Sequence, residues 1–264
     1  EIVLCINFGI SVSENKELQD IVKPLHINLK IYQLSYLATE LSLQHRDLCV
    51  EYLSLPFDSG QIVPLETFIS EYNNASWAIA TPIDNPFFHR EKEMESFLSL
   101  LESQNFIVLS GPPGVGKTKL VVEWIARFQD KFPSYQVFSV ANKHYDLLED
   151  LSHYLTSDKN SILFVDDANR IDNLWQILEF YKSRTKGNLK IIITVRDYAL
   201  PEIQNKCIWI VAPHKLCIEK LNNEQVIDIL KSKPFEILNS NFHREINKIS
   251  DWNPRLAIMC AKLS

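Results

Sequence analysis

The sequence predicts an α/β fold in which helices cover a parallel sheet, with a small helical domain after it and part of another α/β domain before it. Short apolar runs alternate with amphipathic helical patterns between residues 86 and 215, which is typical of parallel strands joined by helices. The same alternation occurs in residues 1–55, whereas only helical patterns remain in residues 216–264. The prolines of residues 56–85 indicate a linker between the two α/β segments.

The composition is that of a folded globular protein. Of the 264 residues, 46% are hydrophobic and 23% are charged, which excludes a disordered chain. The net charge of −6 gives no overall attraction to nucleic acid, although a local basic groove is compatible with it. The five cysteines form no CxxC pair, so we expect reduced thiols in a cytosolic protein, without a zinc site or disulfides. No apolar run approaches the roughly 20 residues that span a bilayer.

The first segment has the pattern of alternating strands and helices. Ser13, followed by Glu17, is the expected cap of its first helix. The chain begins with Glu1 inside a buried-strand pattern and ends inside an apolar helical pattern, so we expect a piece of a longer protein. The β-α-β-α order indicates part of an α/β sandwich. We predict strands at 1–8 and 27–33 and helices at 13–22, 35–43 and 47–53.

We also predict the elements of the linker and of the second segment. Turn signals at residues 58–61 and 81–82 indicate an irregular linker with a short helix at 65–72. The second segment should contain strands at 106–109, 135–140, 161–165, 190–195 and 207–211, and helices at 90–101, 117–129, 145–155 and 171–181.

A glycine-rich loop follows the first strand of the second segment and opens a helix. It fits the pattern G-x-x-x-x-G-K-[ST], and the strand before it and the helix after it are the context that this phosphate-binding motif requires. Small residues let backbone N–H groups face phosphate oxygens at the positive end of the helix dipole. The residues expected to bind nucleotide here are Gly111, Pro112, Pro113, Gly114, Val115, Gly116, Lys117, Thr118 and Lys119.

Two side chains of this loop define the expected ligand. Lys117 would reach the β- and γ-phosphates, and the Thr118 hydroxyl would bind Mg²⁺. We therefore predict a nucleoside triphosphate, with Mg-ATP as the best candidate. The chain contains no Asn-Lys-x-Asp motif for reading guanine, and the base preference otherwise stays open.

Polar residues end two buried strands. Asp166 and Asp167 follow the apolar strand at 161–165, at the edge where parallel strands present their carboxyl ends. We expect Asp166 to complete the Mg²⁺ site and Asp167 to activate the attacking water. Thr194 and Arg196 end the next strand, where Arg196 would sense or stabilise the γ-phosphate. The alternative for Arg196 is an ion pair with Asp197 or a surface acid.

These motifs together resemble the signal-transducing P-loop ATPases with numerous domains, the STAND class. The resemblance rests on residues 87–93, on the Thr-x-Arg ending at Thr194 and Arg196, and on residues 252–257, which are similar to the family's Gly-x-Pro motif. It covers about residues 86–264.

The resemblance implies a place for the base. Phe88 and Arg90 would lie beside it, and Pro254 would pack over the adenine. His89 and Trp252 stand where the family usually has glycine. The alternative for Pro254 is an ordinary first-turn proline that starts a helix.

The first segment carries a second resemblance. Residues 32–62 are similar to the tail of restriction-endonuclease-like domains of the Mrr type, which precede STAND ATPases in prokaryotic antiviral proteins. Nuclease chemistry needs an acidic residue and a Glu-x-Lys at adjoining strand ends. Residues 14–16 match that spacing, but they open a helix, so we interpret them as a capping turn and assign no nuclease site.

The resemblance implies a function as a switch. A region outside this chain would detect a phage protein in the prokaryotic cytoplasm. ATP-bound subunits would then assemble into a tetramer-like homo-oligomer and activate a nuclease effector acting on DNA, with no role for a membrane. The alternatives are an AAA+-type motor or loader on nucleic acid, for which we identify no trans-acting arginine or pore loop, and a scaffold that holds nucleotide without turnover.

Overall fold

The structure is a computed structural model, and its residues fall into two compact units. It describes residues 1–54, 58–74, 83, 86–141, 143, 146–184, 188–208 and 212–263. The first unit is Glu1–Phe57 and the second is Asp58–Ser264. None of the described helices combines the length and the apolar character that a membrane span requires.

The first unit contains a pair of parallel strands and three α-helices among its described residues. The register pairs Ile2 with Leu29. All of β1 is solvent-exposed, whereas its apolar sequence predicts a buried strand. The difference arises because β1 pairs with a single described strand and no described helix covers it. The elements are β1 (Ile2–Cys5), α1 (Val12–Val22), β2 (Leu29–Tyr32), α2 (Leu34–Gln44) and α3 (Arg46–Leu53).

The cap of α1 is Ser11, so the prediction of Ser13 is wrong. The Ser11 hydroxyl accepts a hydrogen bond from the Glu14 backbone N–H, and the Glu14 carboxylate accepts one from the Ser11 N–H. This reciprocal pair satisfies two amides that the first turn of a helix leaves without partners. Residues 14–16 therefore begin a helix, which agrees with their interpretation as a capping turn.

The sheet of the second unit has the strand order β3-β5-β6-β7-β4-β8 among the described residues. Every pairing is parallel except that of β3, which runs antiparallel to β5 at the edge. The central strands β6 and β7 are mostly apolar, and all of their residues except Arg196 are buried, as a sheet covered on both faces requires. The strands are β3 (Ile62–Pro64), β4 (Phe106–Gly111), β5 (Gln136–Val140), β6 (Ser161–Val165), β7 (Leu189–Arg196) and β8 (His214–Cys217).

Helices bury a separate core on each face of this sheet. Phe97 and Trp124 lie in one core, with ring centroids 4.8 Å apart, and Ile177 and Ile203 lie in the other. The α/β fold class that the sequence predicts is thereby confirmed. The helices are α4 (Leu65–Asn74), α5 (Glu91–Ser103), α6 (Lys117–Lys131), α7 (Leu148–Tyr154), α8 (Leu174–Ser183) and α9 (Leu200–Ile208).

A small helical subdomain, here called the lid, follows β8. It consists of α10 (Asn223–Lys231), α11 (Ser240–Ser250) and α12 (Pro254–Leu263). Val226, Leu230, Ile246 and Ala257 form its buried core. Each helix buries one apolar face, which explains why only helical periodicity is present after Leu221.

Two segments differ from their predicted structure. Residues 62–64, expected in an irregular linker, form β3, because Ile62 is buried against the sheet. Three residues are too few to show a strand pattern in sequence. The short helix predicted at 65–72 is confirmed as α4. A strand was expected at 207–211, but Cys207 belongs to α9, where it is buried one turn after Ile203. Residues 209–211 lie outside the described residues. The sixth strand is β8, whose alternating half-exposed pattern gives a weak signal.

A buried carboxylate holds the start of the second unit in place. Asp150 is fully buried on α7 and accepts hydrogen bonds from the Ser59 backbone N–H at 3.0 Å and from the Ser59 hydroxyl. The Gln61 N–H lies 3.3 Å from the same carboxylate. These bonds fix the residues immediately before β3, so that β3 joins the sheet edge.

We expect Asp150→Ala to lower the free energy of unfolding by roughly 3 kcal/mol, because buried donors lose a charged acceptor. Urea denaturation followed by circular dichroism measures the change. Asp130→Ala is the matched control, since Asp130 is exposed on α6. Equal stability of the two variants would contradict this role of Asp150.

Candidate nucleotide-binding site

The sheet topology brings the predicted motifs together. β7 lies between β4 and β6, and its last residue Arg196 is paired with Gly111 at the start of the glycine loop. The carboxyl ends of these strands border a cavity of about 950 Å³. The loop, the two aspartates and the lid all contribute to its lining.

The loop needs glycine at two positions for steric reasons. A Cβ at Gly111 would collide with the carbonyl oxygen of Ile218. Gly114 has a φ of +78°, and a Cβ there would lie 2.7 Å from the side-chain oxygen of Asn253. The loop therefore packs closely against Ile218, directly after β8, and against the lid.

Lys117 points back along the loop. Its Nζ donates to the carbonyl oxygens of Gly111 at 2.7 Å and Pro112 at 2.9 Å. Burial lowers the pKa of Lys117, and the nearby carboxylates of Asp166 and Asp167 act in the opposite direction. A buried ammonium beside loop carbonyls is suited to phosphate oxygens, which would restore its solvation.

Thr118 and Asp166 meet as the sequence predicts. The Thr118 hydroxyl donates to Asp166 Oδ1 at 2.8 Å, and the Thr194 hydroxyl donates to the same oxygen at 2.6 Å. Thr194 also accepts from the Asp167 N–H at 2.8 Å. Burial raises the pKa of Asp166.

This donor set fits a magnesium ion. Mg²⁺ prefers oxygen ligands and is commonly held by one or two protein groups together with substrate phosphates and water. The Thr118 hydroxyl and the Asp166 carboxylate are two such groups, side by side at the end of the glycine loop. A bound cation would also offset the burial of the Asp166 charge.

Asp167 is held by arginine. Arg196 donates to both of its carboxylate oxygens, from Nε at 3.1 Å and from Nη2 at 2.8 Å. Arg170 Nε lies 3.1 Å from Oδ2. The Asp167 backbone is left-handed, with a φ of +49°, which turns the carboxylate toward these cations. The alternative prediction for Arg196 was an ion pair with Asp197 or a surface acid. Arg196 does form an ion pair, but its partner is Asp167.

The residues expected at the base fall into two groups. Phe88 and Pro254 line the cavity together with apolar lid residues, so their predicted contact with adenine remains a prediction that the geometry permits. Arg90 is buried and donates to the carbonyl oxygens of Val115 at 3.2 Å and Glu219 at 2.7 Å. Its guanidinium also donates to the Glu93 carboxylate at 2.8 Å, and it joins the loop to the lid connection. Arg90 lines the cavity as well, so its place beside the base stays a prediction.

Lys119 lies in the first turn of α6 and lines the cavity. Its Nζ donates to the Ile83 carbonyl oxygen at 2.6 Å and lies 3.7 Å from Glu123. Ile83 lines the cavity too, and the nucleotide-binding role of Lys119 stays a prediction.

The two residues that replace the expected glycines keep a glycine-like backbone. His89 has a φ of +52° and Trp252 a φ of +61°, both in the left-handed region. Residues other than glycine reach this region only at a cost of about 1 kcal/mol or more. Both residues therefore adopt a backbone conformation that glycine reaches more readily.

Asn253 joins the lid to the loop, a role that was not predicted from its sequence. Its Nδ2 donates to the Pro113 carbonyl oxygen at 2.7 Å, while its Oδ1 accepts from the Arg255 N–H at 3.1 Å. The Arg255 N–H also lies 3.3 Å from the Gly114 carbonyl oxygen. An Asn directly before a first-turn proline is a helix-cap signal that could have identified this residue.

Tyr72 and Arg255 were also missed. Both line the cavity, Tyr72 from α4 and Arg255 from the first turn of α12. Tyr72 ends the helix predicted at 65–72, but its sequence context assigned it no role. Arg255 directly follows Pro254, so a cation at the start of the lid helix was visible in the sequence.

Substitutions at Asn253 should separate its two contacts. Asn253→Asp keeps the oxygen that caps α12 but replaces the donor to Pro113, whereas Asn253→Ala removes both. We expect faster hydrogen exchange of the glycine loop in both variants. Only Asn253→Ala should also accelerate exchange in the first turn of α12, by about 5- to 30-fold, which corresponds to the loss of a cap. Mass spectrometry measures both regions, and unchanged exchange of the loop in both variants would contradict the contact.

Comparisons with known proteins agree with this geometry. Residues 88–233, more than half of the chain, match the family model described as Novel STAND NTPase 3. No curated protein is significantly similar to the chain in sequence.

Solved structures share the fold. The Saccharomyces cerevisiae Hsp104–ADP complex aligns with a TM-score of 0.56 and 20% identity, covering 78% of this chain and 34% of that one. Aeropyrum pernix Orc1 in complex with DNA aligns with a TM-score of 0.51 and 13% identity, covering 69% and 61%. The chain thus spans about a third of Hsp104 and under two thirds of Orc1. On the family match, and with the site geometry in agreement, the chain belongs to the Novel STAND NTPase 3 family.

Proposed function

We propose that the chain is a Mg²⁺-dependent ATPase module that works as a molecular switch. The observation that carries this proposal is the bidentate pair of Arg196 with Asp167 at the phosphate end of the cavity. The guanidinium that would stabilise the γ-phosphate is bound to the carboxylate that would activate water. A triphosphate offers Arg196 a competing anion, so the two groups rearrange according to the nucleotide that is bound.

Binding would use the loop and the lid together. Lys117 and the N–H groups at the start of α6 take the phosphates, and Thr118 with Asp166 hold Mg²⁺. When bound, the ion neutralises phosphate charge. Phe88 and Pro254 lie at the apolar part of the cavity, which suits adenine.

Hydrolysis would use the released carboxylate. Asp167 accepts a proton from water, the water oxygen bonds to the γ-phosphorus, and the bond from that phosphorus to the bridging oxygen breaks. Arg196 stabilises the charge that develops on the phosphoryl oxygens. Hydrolysis removes the anion that holds Arg196, which then returns to Asp167 and resets the switch.

The lid supplies the mechanical output of this switch. Asn253 and the Arg255 N–H bind carbonyl oxygens of the glycine loop, so a movement of the loop reaches α12 directly. Arg255 also lines the cavity and adds a lid cation on its wall. This coupling favours a switch over a scaffold that merely holds nucleotide.

The biological role that we propose is prokaryotic antiviral defence. Family membership and the STAND motifs support this role. In it, a phage protein would be the trigger, a homo-oligomer would be the active state, and a nuclease effector would act on DNA. The nuclease part rests on the resemblance of residues 32–62 alone. The described residues hold no cluster of three or more His, Cys, Asp or Glu side chains for a metal, so we assign no nuclease site to them.

We expect Lys117→Ala to weaken Mg-ATP binding about 10- to 100-fold, because a charge-assisted contact with the phosphates is lost. Calorimetry with a non-hydrolysable ATP analogue measures the affinity. Lys131→Ala, at the exposed end of the same helix, should bind as the parent does. Unchanged affinity of Lys117→Ala would refute nucleotide binding at this loop.

Asp167→Asn should retain ATP binding within about threefold while turnover falls at least roughly 100-fold, the usual range for loss of a general base. Phosphate release measures turnover. The control is Asp197→Asn, a neighbouring carboxylate that instead accepts from the Tyr198 N–H at 3.0 Å. Our assignment fails if both variants lose turnover equally or if Asp167→Asn hydrolyses normally.

A further inference from the structure

Thr194 joins the two aspartates at the edge of the sheet. Its side chain is almost fully buried near the end of β7. The Thr194 hydroxyl donates to Asp166 Oδ1 at 2.6 Å and accepts from the Asp167 backbone N–H at 2.8 Å. The proton of the hydroxyl and one of its lone pairs are therefore both used within the protein. Thr194 thus links the expected metal ligand to the backbone of the expected general base.

Two residues of β7 bind different parts of Asp167. Thr194 binds the backbone N–H, whereas Arg196 binds both carboxylate oxygens, at 3.1 and 2.8 Å. Residues two apart on a strand point to the same face of the sheet, which is why both reach Asp167. Arg170 contacts the carboxylate as well, but it belongs to the same short segment as Asp167. Thr194 and Arg196 therefore fix the orientation of Asp167 relative to β7.

The backbone of Asp167 needs such support. Its φ of +49° lies in the left-handed region, where a residue with a Cβ is disfavoured. A conformation of this kind persists where surrounding contacts hold it. The hydrogen bond to Thr194 is such a contact, and it uses the N–H and not the carboxylate. The bond can therefore be kept while the carboxylate changes its partner.

The exchange of partners in the proposed function makes this bond decisive. When Arg196 moves to the γ-phosphate, Asp167 loses its bidentate partner just as its carboxylate has to face the attacking water. The bond from its N–H to Thr194 is unaffected by that move. A general base must lie within hydrogen-bond reach of the proton that it accepts, and a displacement of about 1 Å can lower a rate about 100-fold.

We propose that Thr194 is a positioning residue for hydrolysis, which keeps Asp167 in place after Arg196 has left it. The inference rests on the proposed function, because it assumes that Asp167 activates water and that Arg196 moves to the nucleotide. Thr194 acts here through Asp167, although it also binds Asp166 Oδ1. Thr118 donates to that same oxygen at 2.8 Å, so the metal ligand keeps one donor when Thr194 is changed.

The first test is Thr194→Val, which keeps the shape of the side chain and removes its hydroxyl. At saturating ATP and Mg²⁺, phosphate release should fall about 10- to 100-fold, because the general base is displaced. Affinity for a non-hydrolysable ATP analogue, measured by calorimetry, should stay within about threefold of the parent value, because no phosphate contact is removed. Thr194→Ser keeps the hydroxyl and should keep turnover within about threefold of the parent.

The matched control is Ser139→Ala. Ser139 is a buried hydroxyl of β5 that donates to the Phe164 carbonyl oxygen at 3.1 Å, so its loss disturbs the sheet without touching the aspartates. This variant should hydrolyse ATP as the parent does. Parent-like turnover of Thr194→Val, or an equal loss in Ser139→Ala, would overturn the proposal.

A double-mutant cycle shows whether Thr194 acts through Asp167. Asp167→Asn already lacks the general base, so adding Thr194→Val should change its residual turnover by less than about threefold. Single-turnover assays at saturating Mg²⁺ measure this residual rate. A further loss of about tenfold or more in the Asp167→Asn background would assign Thr194 to the metal ligand or to the fold, and would contradict the proposal.

Hydrogen exchange tests the same claim without turnover. With Mg²⁺ and the analogue bound, residues 166–171 should exchange about 5- to 30-fold faster in Thr194→Val than in the parent, which corresponds to the loss of one hydrogen bond. Without nucleotide the difference should be smaller, because Arg196 still holds Asp167. Equal exchange in the two bound proteins would refute the positioning role. Failure of the proposed function differs, since the parent itself would then not bind the analogue or not hydrolyse ATP.

Discussion

Asp166 Oδ1 accepts hydrogen bonds from two hydroxyls that belong to different elements, Thr118 at the start of α6 and Thr194 in β7. This shared acceptor depends on the strand order, because β7 must separate β6 from β4 for both hydroxyls to reach one oxygen. The carboxylate is half-buried, so these donors or a cation stabilise its charge. The placement of the glycine loop, the metal ligands and Arg196 follows from this arrangement.

The same edge of the sheet explains how nucleotide could control the rest of the unit. Arg196 binds Asp167, the residue after Asp166, and Asn253 of the lid binds the glycine loop. Anion binding therefore acts on groups that already have protein partners, so each new contact replaces an existing one. Such exchange between two sets of partners is the physical requirement of a two-state switch.

The sequence was informative where chemistry restricts residue type. The glycine loop, Asp166 and the buried strands could be predicted because phosphate binding and full burial each permit few residues. Three features could not be predicted, because they depend on side-chain directions and on pairing over long sequence distances. They are the Arg196–Asp167 pair, the contacts of Arg90 and the edge strand β3. Asn253 and Tyr72 were missed for different reasons. The cap signal of Asn253 was present before Pro254, whereas nothing local marks Tyr72 as a residue that lines the cavity.

The central claim is that Arg196 exchanges Asp167 for the γ-phosphate. A crystal structure of the chain with Mg²⁺ and a non-hydrolysable ATP analogue tests it most directly. The account predicts that the Arg196 guanidinium contacts the γ-phosphate and that its Nη2 has left Asp167 Oδ2, from which it now lies 2.8 Å away. A γ-phosphate bound at Lys117 with the Arg196–Asp167 pair intact would contradict the account.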